Sequence, residues 1–466
     1  MKRLSFISFV FFAYFAAALA QDTLSVVGLK VNKNNEPWGT YNPERGYFQK
    51  AFSDKGDPRF MITTEDGKFE FGVGGEIDIN AFGDFAGSLD NSEFSTWDIN
   101  VPTYYSSHIG IMSAGSKLFF KGRAKFGRHT LISYVELGAN EEMDVSMKQA
   151  YFSYDGLSVG RTHTFFEDLA AGVQTVDPRG PNTSIAKCHP LVGYTFDLGK
   201  HFTIGAAVEQ PGFAINDYTN LGLYEEYHTM PDFAARFIYH DTFGHLQFSA
   251  LVRQLSYWGV DGPYKDISKL TYIDDSNGTA YHKTGYGFAL SGTVNLTPKC
   301  FVTFQGLYGR GIQQYIKELN NTGIDLIPTR INADDPDNMY YRMRTVPAWG
   351  GYAGLQYNWS KRLSTSVVYG MVGMDLNPVS NLTWGGNISE TEYEQECKLY
   401  DYRRTAYLAV NAFYHLNDYC TFGIEYLHGG RWERNRLYDP ALSHPLQPGT
   451  SRGDANRIDL MFSYAF

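Results

Sequence analysis

Lys121, Arg123 and Lys125 recur at a spacing of two, and upstream Glu70, Glu76 and Asp78 share one parity of their own run. Side chains two apart on an extended chain lie on one face, so each set forms a row. Such rows either pair across neighbouring strands or, lining water, discriminate among charged solutes; the residues alone leave both readings open. A second group, Phe165, Glu167, Asp168, Asp177 and Arg179, sits in the stretch 162–190, and Arg236 and Arg253 share the polar parity of their runs. Acids of that stretch facing the basic row would set a transverse field across a narrow water column. Catalytic chemistry finds little footing. Gly72, Gly74 and Gly75 lie within a strand pattern and precede no helix, so they are no nucleotide fingerprint. His163, His189, His201, His240 and His245 lack metal-ligand spacing, Cys188-His189 alone makes no site, and no Gly-x-Ser-x-Gly elbow occurs. An enzyme is not expected, although barrels can assemble catalytic groups from several strands, and no cofactor is implied.

The elements that must carry these rows are strands. From residue 65 onward apolar and polar residues alternate, as in Phe69, Phe71, Val73, Ile77 and Ile79, or Phe202, Ile204, Ala206 and Val208, or Ile458, Leu460, Phe462, Tyr464 and Phe466. The connections alternate as well. Short ones fall at 127–129, 155–156, 198–200, 242–244, 298–299, 360–362 and 416–418; long ones cover 83–113, 139–145, 162–190, 210–231, 255–283, 310–346, 372–403 and 429–455. Together they join sixteen strands of about 9–13 residues, the length that crosses hydrocarbon at a tilt. The prediction is an all-β, sixteen-stranded antiparallel transmembrane barrel with short periplasmic turns, long extracellular loops and an inward-folded third loop. Its lumen would be wide enough for water.

Composition supports this. Aromatics make up 16% of the 466 residues, Gly numbers 47 and charged residues only 19%, which excludes disorder. Beyond the first twenty residues no apolar run is long enough for a spanning helix. Those twenty, with Lys2 and Arg3, the apolar Leu4 to Phe15 and Ala18-Leu19-Ala20, read as a signal peptide, 1–20. The formal charge of −10 becomes −12 without Lys2 and Arg3, which opposes binding to nucleic acid. Residues 21–65 do not alternate; Leu24 to Val31 could be one short strand, and the segment reads as a periplasmic extension or a luminal piece. The barrel is then 66–466. Aromatics near strand ends, such as Tyr151, Phe152 and Tyr154, or Tyr352, Tyr357 and Trp359, suit interfacial girdles. Chain end Phe466 completes an amphipathic strand, as in barrels that present this residue to the barrel-assembly machinery. Cys300 and Cys420 open the eleventh and fifteenth strands, too far apart to bridge, whereas Cys188 and Cys397 lie on long loops and could meet.

At the third long loop a family resemblance emerges. Gly160-Arg161, an aromatic and acidic loop, then Asp177-Pro178-Arg179-Gly180-Pro181 resembles the constriction loop after the fifth strand of trimeric porins. Met147 to Pro211, with Lys148-Gln149-Ala150-Tyr151 and Val208-Glu209-Gln210-Pro211, is most similar to the DcaP-like family. The resemblance implies a trimeric outer-membrane porin that passes small hydrophilic, often anionic, solutes and is embedded in outer-membrane lipid. A helical N-terminal coiled coil, present in some members, is lacking and not carried over. By resemblance to general porins, Glu141, Glu142 or Asp144 on the second loop would pair with outward Arg161 of a neighbouring subunit in a homotrimer. Two other classes remain: a fatty-acid-type hydrophobic transporter with 21–65 as its plug, and a surface adhesin.

Overall fold

A strand in hydrocarbon must give every backbone N–H and C=O to a neighbour, since each unmet group costs several kcal/mol. The computed structural model of the chain meets that demand by closure. It describes residues 26–31, 58, 60–87, 89, 93–103, 106–113, 115–139, 144–215, 224–259, 262–263, 279–320, 322–331, 340–376, 402–417, 419–433 and 452–466. The leader 1–20, Glu141, Glu142 and Cys397 lie outside the described residues. Sixteen strands form the barrel: β1 (Phe69–Ala86), β2 (His108–Met112 and Lys117–Phe126), β3 (His129–Ala139), β4 (Val145–Tyr154), β5 (Leu157–His163), β6 (Cys188–Leu198), β7 (Phe202–Glu209) and β8 (Asp232–Asp241), then β9 (Gly244–Gly259), β10 (Thr279–Thr297), β11 (Cys300–Arg310), β12 (Pro347–Asn358), β13 (Leu363–Met374), β14 (Tyr402–His415), β15 (Cys420–Glu433) and β16 (Arg452–Ala465). Each pairs antiparallel with the next. β16 returns to β1, from Asn456↔Ala86 to Ala465↔Glu76. Phe466 and Gly75 extend the seam with reciprocal backbone bonds of 2.9 and 3.1 Å.

The seven short turns fall where the alternation breaks, and the apolar parity faces outward. Ile77, Ile79, Val192, Phe196, Phe237, Leu290, Val367, Ile424 and Leu460 are all exposed on the outer wall, as a lipid-facing band requires.

Several strands run further than the alternation implies. Pairing of β2 begins at His108, inside the predicted first long loop, and breaks before Lys117. At the break, the Ser116 hydroxyl accepts the Asp78 N–H (3.0 Å) and donates to the Asp78 carbonyl (3.2 Å), replacing the missing rung. β9 and β10 extend through much of the predicted loop 255–283, pairing as far as Gly259↔Thr279. The extension is braced by the Tyr257–Tyr281 stack at 5.4 Å and by Tyr227 against Trp258 at 5.3 Å. Tyr151 and Tyr352 are not girdle residues: their parity turns them inward, Tyr151 onto Tyr134 (5.5 Å) and Tyr352 onto the Ala171 carbonyl (2.7 Å).

Before β1, Val26–Val31 pairs with Phe60–Thr64, which in turn pairs with β1 at Glu70–Val73. Because β16 pairs with β1 from Glu76 onward, Phe60–Thr64 continues that edge on the short-turn side.

Cys300 and Cys420 are free and begin β11 and β15. With strands ~4.8 Å apart, four positions put them far beyond the ~7 Å reach of a disulfide. Peptide mapping after mild oxidation should therefore recover both unlinked to each other; a 300–420 bridge would break the strand order.

Candidate functional site: a lumen narrowed by inward loops

Sixteen strands enclose more space than side chains can fill, and among the described residues parts of three long connections turn into it: L1 (within 87–107), L3 (164–187) and L6 (within 311–346). The strands flanking L3 run slightly further than the alternation implied, leaving 164–187 of the predicted 162–190. Its neck is closed by the Thr164 N–H on the Lys187 carbonyl, 2.9 Å. Asp168 caps the short 3-10 turn Leu169–Ala171, accepting from the Ala170 N–H at 3.1 Å.

From there L3 follows the inner wall. Gln247 of β9 donates to the Glu167 carbonyl (3.0 Å), and His245 of β9 and Ser291 of β10 meet the Asp168 carboxylate at 2.9 and 2.7 Å. Thr293 of β10 donates to the Ala170 carbonyl at 3.0 Å. Ser366 of β13 and Asn411 of β14 both donate to the Gln174 carbonyl, at 3.1 and 3.0 Å. Beyond them the Asp177 N–H donates to Glu425 of β15 (2.7 Å), and Tyr407 of β14 donates to the Asp177 carboxylate (3.1 Å). A buried carbonyl or carboxylate left unmet costs about 1–3 kcal/mol, so each of these donors fixes the loop.

Close approach to the wall needs notches, and glycine supplies them. Phe165 sits on the inner face over Gly193 and Gly205, where a side-chain carbon would collide with its ring. Arg236 of β8 covers that ring at 4.3 Å, a cation–π contact. Val176 rests similarly on Gly423 of β15, where a Cβ would lie 2.7 Å from its methyl.

L1 and L6 lock onto L3. Arg179 pairs with Glu93 of L1 at 3.1 Å and with Glu318 of L6 at 3.3 Å. Thr96 of L1 donates to Glu318, and Asn182 of L3 donates to Thr96 at 3.2 Å. Burial raises the carboxyl of Glu318 above its ordinary range. Burial, and then the Arg253 charge, push Lys187 down to about 8. Around these groups Phe165, Phe166, Ile185, Ile312, Tyr315, Ile316 and Leu319 form a dry core inside the barrel.

A model of the porin subfamily matches residues 69–415. The chain belongs to that family. Among curated proteins none matches significantly by sequence. Among solved structures, the outer membrane channel DcaP of Acinetobacter baumannii shares the fold at 14% identity and a TM-score of 0.63, over 87% of this chain and 99% of that one. An anion-selective porin from Comamonas acidovorans aligns at 9% identity and a TM-score of 0.49, over 85% of this chain and 100% of that one. The trimer form of OmpT from Vibrio cholerae aligns at 10% identity and a TM-score of 0.47, over 85% and 99%. Family and fold make this an outer-membrane porin, a β-barrel channel.

In the porin, the basic row lies on β2 and meets the acids of β1. Arg123 bonds Glu70 at 2.6 Å and Lys125 reaches the same carboxylate at 3.4 Å, while Lys117 pairs with Glu76. Lys121 is 2% exposed, and beside it Phe119, Tyr134 and Tyr151 stack across β2–β4. The L3 acids bond other walls, as described, and Glu167 faces His163 at 2.9 Å. Parity sends Arg253 to the lumen, and the structure buries it there beneath L6, against Asp232 (3.1 Å) and Asp325 (3.5 Å), so it is a brace and not a water-facing charge. Arg161 is exposed on the outer face, its Nε donating to the Lys148 carbonyl at 3.2 Å, and Asp144 is exposed as well.

Two features escaped the sequence reading. Three histidines support L3: His163 and His245 meet its carboxylates Glu167 and Asp168, and His189 meets Glu209 of β7, which bonds the start of the loop. Their inward parity was the available signal. At the seam, Arg457 of β16 holds Asp84 of β1 by two bonds of 2.7 and 3.0 Å, both side chains buried. Both lie on the polar parity, but which strands become neighbours decides the pair.

Gly193→Val should unseat Phe165 and, by overpacking, cost about 1–3 kcal/mol. The thermal midpoint should fall while circular dichroism keeps its β signal. Gly306→Ala, where an added carbon meets nothing within 4 Å, should melt like wild type. Equal midpoints for the two variants would show that the ring is not seated on Gly193.

Proposed function

We propose that this porin passes small hydrophilic solutes, anions ahead of cations, through a lumen that L3 narrows, along the wall carrying Lys121, Arg123 and Lys125. The reading rests chiefly on how the row is exposed. The side chains of Arg123 and Lys125 keep 17% and 44% of their surface open, whereas the Glu70 side chain beneath them keeps 5%. At this cluster water thus meets cations first, whereas in the neighbouring pair the Glu76 side chain keeps 29% of its surface open and Lys117 16%. The acids of L3 are engaged elsewhere, Asp168 by His245 and Asp177 by Tyr407, so their charge is directed into the walls of β9–β15. Charged side chains lining a pore set its selectivity in this manner.

In planar bilayers the purified protein should give stepwise ohmic conductance and, under a salt gradient, a reversal potential favouring anions. One unit charge at 4 Å in a water-like medium is worth about 1 kcal/mol, so Arg123→Ala should cut the anion-to-cation permeability ratio by up to roughly fivefold. Electrical silence would favour a plugged transporter or an adhesin, and a cation-favouring potential would reverse the assignment of charge preference.

We further propose a homotrimer that uses the outer wall around β5. A lone arginine facing mid-membrane hydrocarbon costs about 2–4 kcal/mol, and outward Arg161 would escape that cost by bonding an acid of the neighbouring subunit's second loop. Native mass spectrometry should show three chains, and Arg161→Ala should lower the temperature at which they separate in detergent. A monomeric wild type would reject the assembly.

A further inference from the structure

Glu209 ends β7 on the inward parity and is 1% exposed. Its carboxylate accepts the Thr164 hydroxyl at 2.7 and 3.0 Å and the Phe165 N–H at 2.8 Å, both from the start of L3. It also faces His189 Nε2 of β6 at 2.8 Å, and the Tyr315 hydroxyl of L6 approaches at 3.3 Å. A carboxylate can only accept, so His189 carries its proton on Nε2. Tyr315 has one hydroxyl proton, shared between Glu209 and Asp232 of β8, the latter closer at 2.8 Å.

The two loops also run side by side. The Ala186 N–H donates to the Tyr315 carbonyl (3.0 Å), the Lys317 N–H to Ser184 (2.9 Å) and the Glu318 N–H to Asn182 (3.2 Å), with Ile185 bridged to Ile316. Arg253 of β9 anchors the root of L6 through the Gly311 carbonyl at 2.8 Å and through Asp232 and Asp325. If either loop moved alone, the Glu209 carboxylate would lose donors within a dry core that includes Phe165, Phe166 and Ile316, and the low dielectric makes that loss expensive.

We infer that Glu209 and Tyr315 are positioning residues that join the neck of L3 to L6, so that the two loops form the constriction as one body. Its meaning for solute passage rests on the proposed function above; the joint itself does not. L6 then takes a direct part in setting the bore, and a change in L6 reaches L3 through the Glu209 carboxylate as well as through the backbone bonds between the two loops.

Amide hydrogen exchange on the full-length protein in detergent, with Glu209→Gln, Tyr315→Phe and the double variant, tests the joint. Each single change should speed exchange across both 164–187 and 311–327 by about tenfold, the effect of losing one bond to a buried charge. The double variant should add little, because both changes open one joint. Peptides of β12 and β13 should keep wild-type exchange, and Glu209→Asp should restore part of the protection. In bilayers, the same two changes should raise open-channel current and noise at unchanged β content. Faster exchange confined to the loop that carries the substitution would overturn the joint. A silent wild type with the exchange pattern intact would reject the passage while leaving the joint standing.

Discussion

Every feature of this porin follows from the need to satisfy backbone hydrogen bonds where water is absent. Open strands cannot do this, so the sheet closes, and the final rungs are made between the first and last barrel strands: β16 on β1, with Phe466 bonded back to Gly75. Closure then imposes the parity. Each strand presents one row to lipid and the other to the lumen, so Ile77, Ile79, Ile458 and Leu460 face outward while Asp84 and Arg457 meet inside. A polar pair buried at the seam is tolerable because it is bidentate and charge-assisted.

A barrel of this circumference creates a second problem, an interior too wide for its own side chains to pack. Inward loops fill it, and they bring main-chain groups that need partners of their own. The inner wall answers with hydroxyls, amides and imidazoles. Ser291, Thr293, Ser366, Asn411 and His245 each bond a carbonyl or carboxylate of L3. Glycines at Gly193 and Gly423 let the loop lie against the sheet. The high glycine content thus has a specific use in this molecule: it clears the inner face where rings and methyls of the loops press on it.

The lumen that results is asymmetric. Beyond its neck, which bonds His163 of β5 and Glu209 of β7, L3 bonds strands β9–β15, whereas the cations of β2 crowd above Glu70 on the other arc. At that cluster the Glu70 carboxylate lies beneath Arg123 and Lys125, which keep more of their surface open. A soluble domain would bury its apolar parity and expose the other; this barrel inverts that order and then adds a small apolar core, centred on Phe165, Phe166 and Ile316, inside its polar lumen.

Period-two alternation and its interruptions were enough to place the strands, count them and assign most of their faces. Alternation has a period of two whatever the neighbours are, and turns such as Asp155-Gly156 and Leu198-Gly199-Lys200 depend on local backbone geometry alone. The third loop was legible for the same reason, through its length and its ordered aromatics, acids and Asp-Pro-Arg-Gly-Pro ending. Other matters depend on which distant segments come together in the folded barrel. Whether His245 or Arg253 faces water, a metal or a carboxylate depends on which loop lies over it. Tyr151 and Tyr352 sit near strand ends as girdle residues do, yet share the inward parity of their strands, and L6 gives no sign in its sequence of turning inward. Glu209 was legible as part of a family motif, yet its role comes from Thr164, His189 and Tyr315, between 20 and 106 residues away. Periodicity records how one strand faces its surroundings; it carries no information about which distant segment will occupy the space it faces.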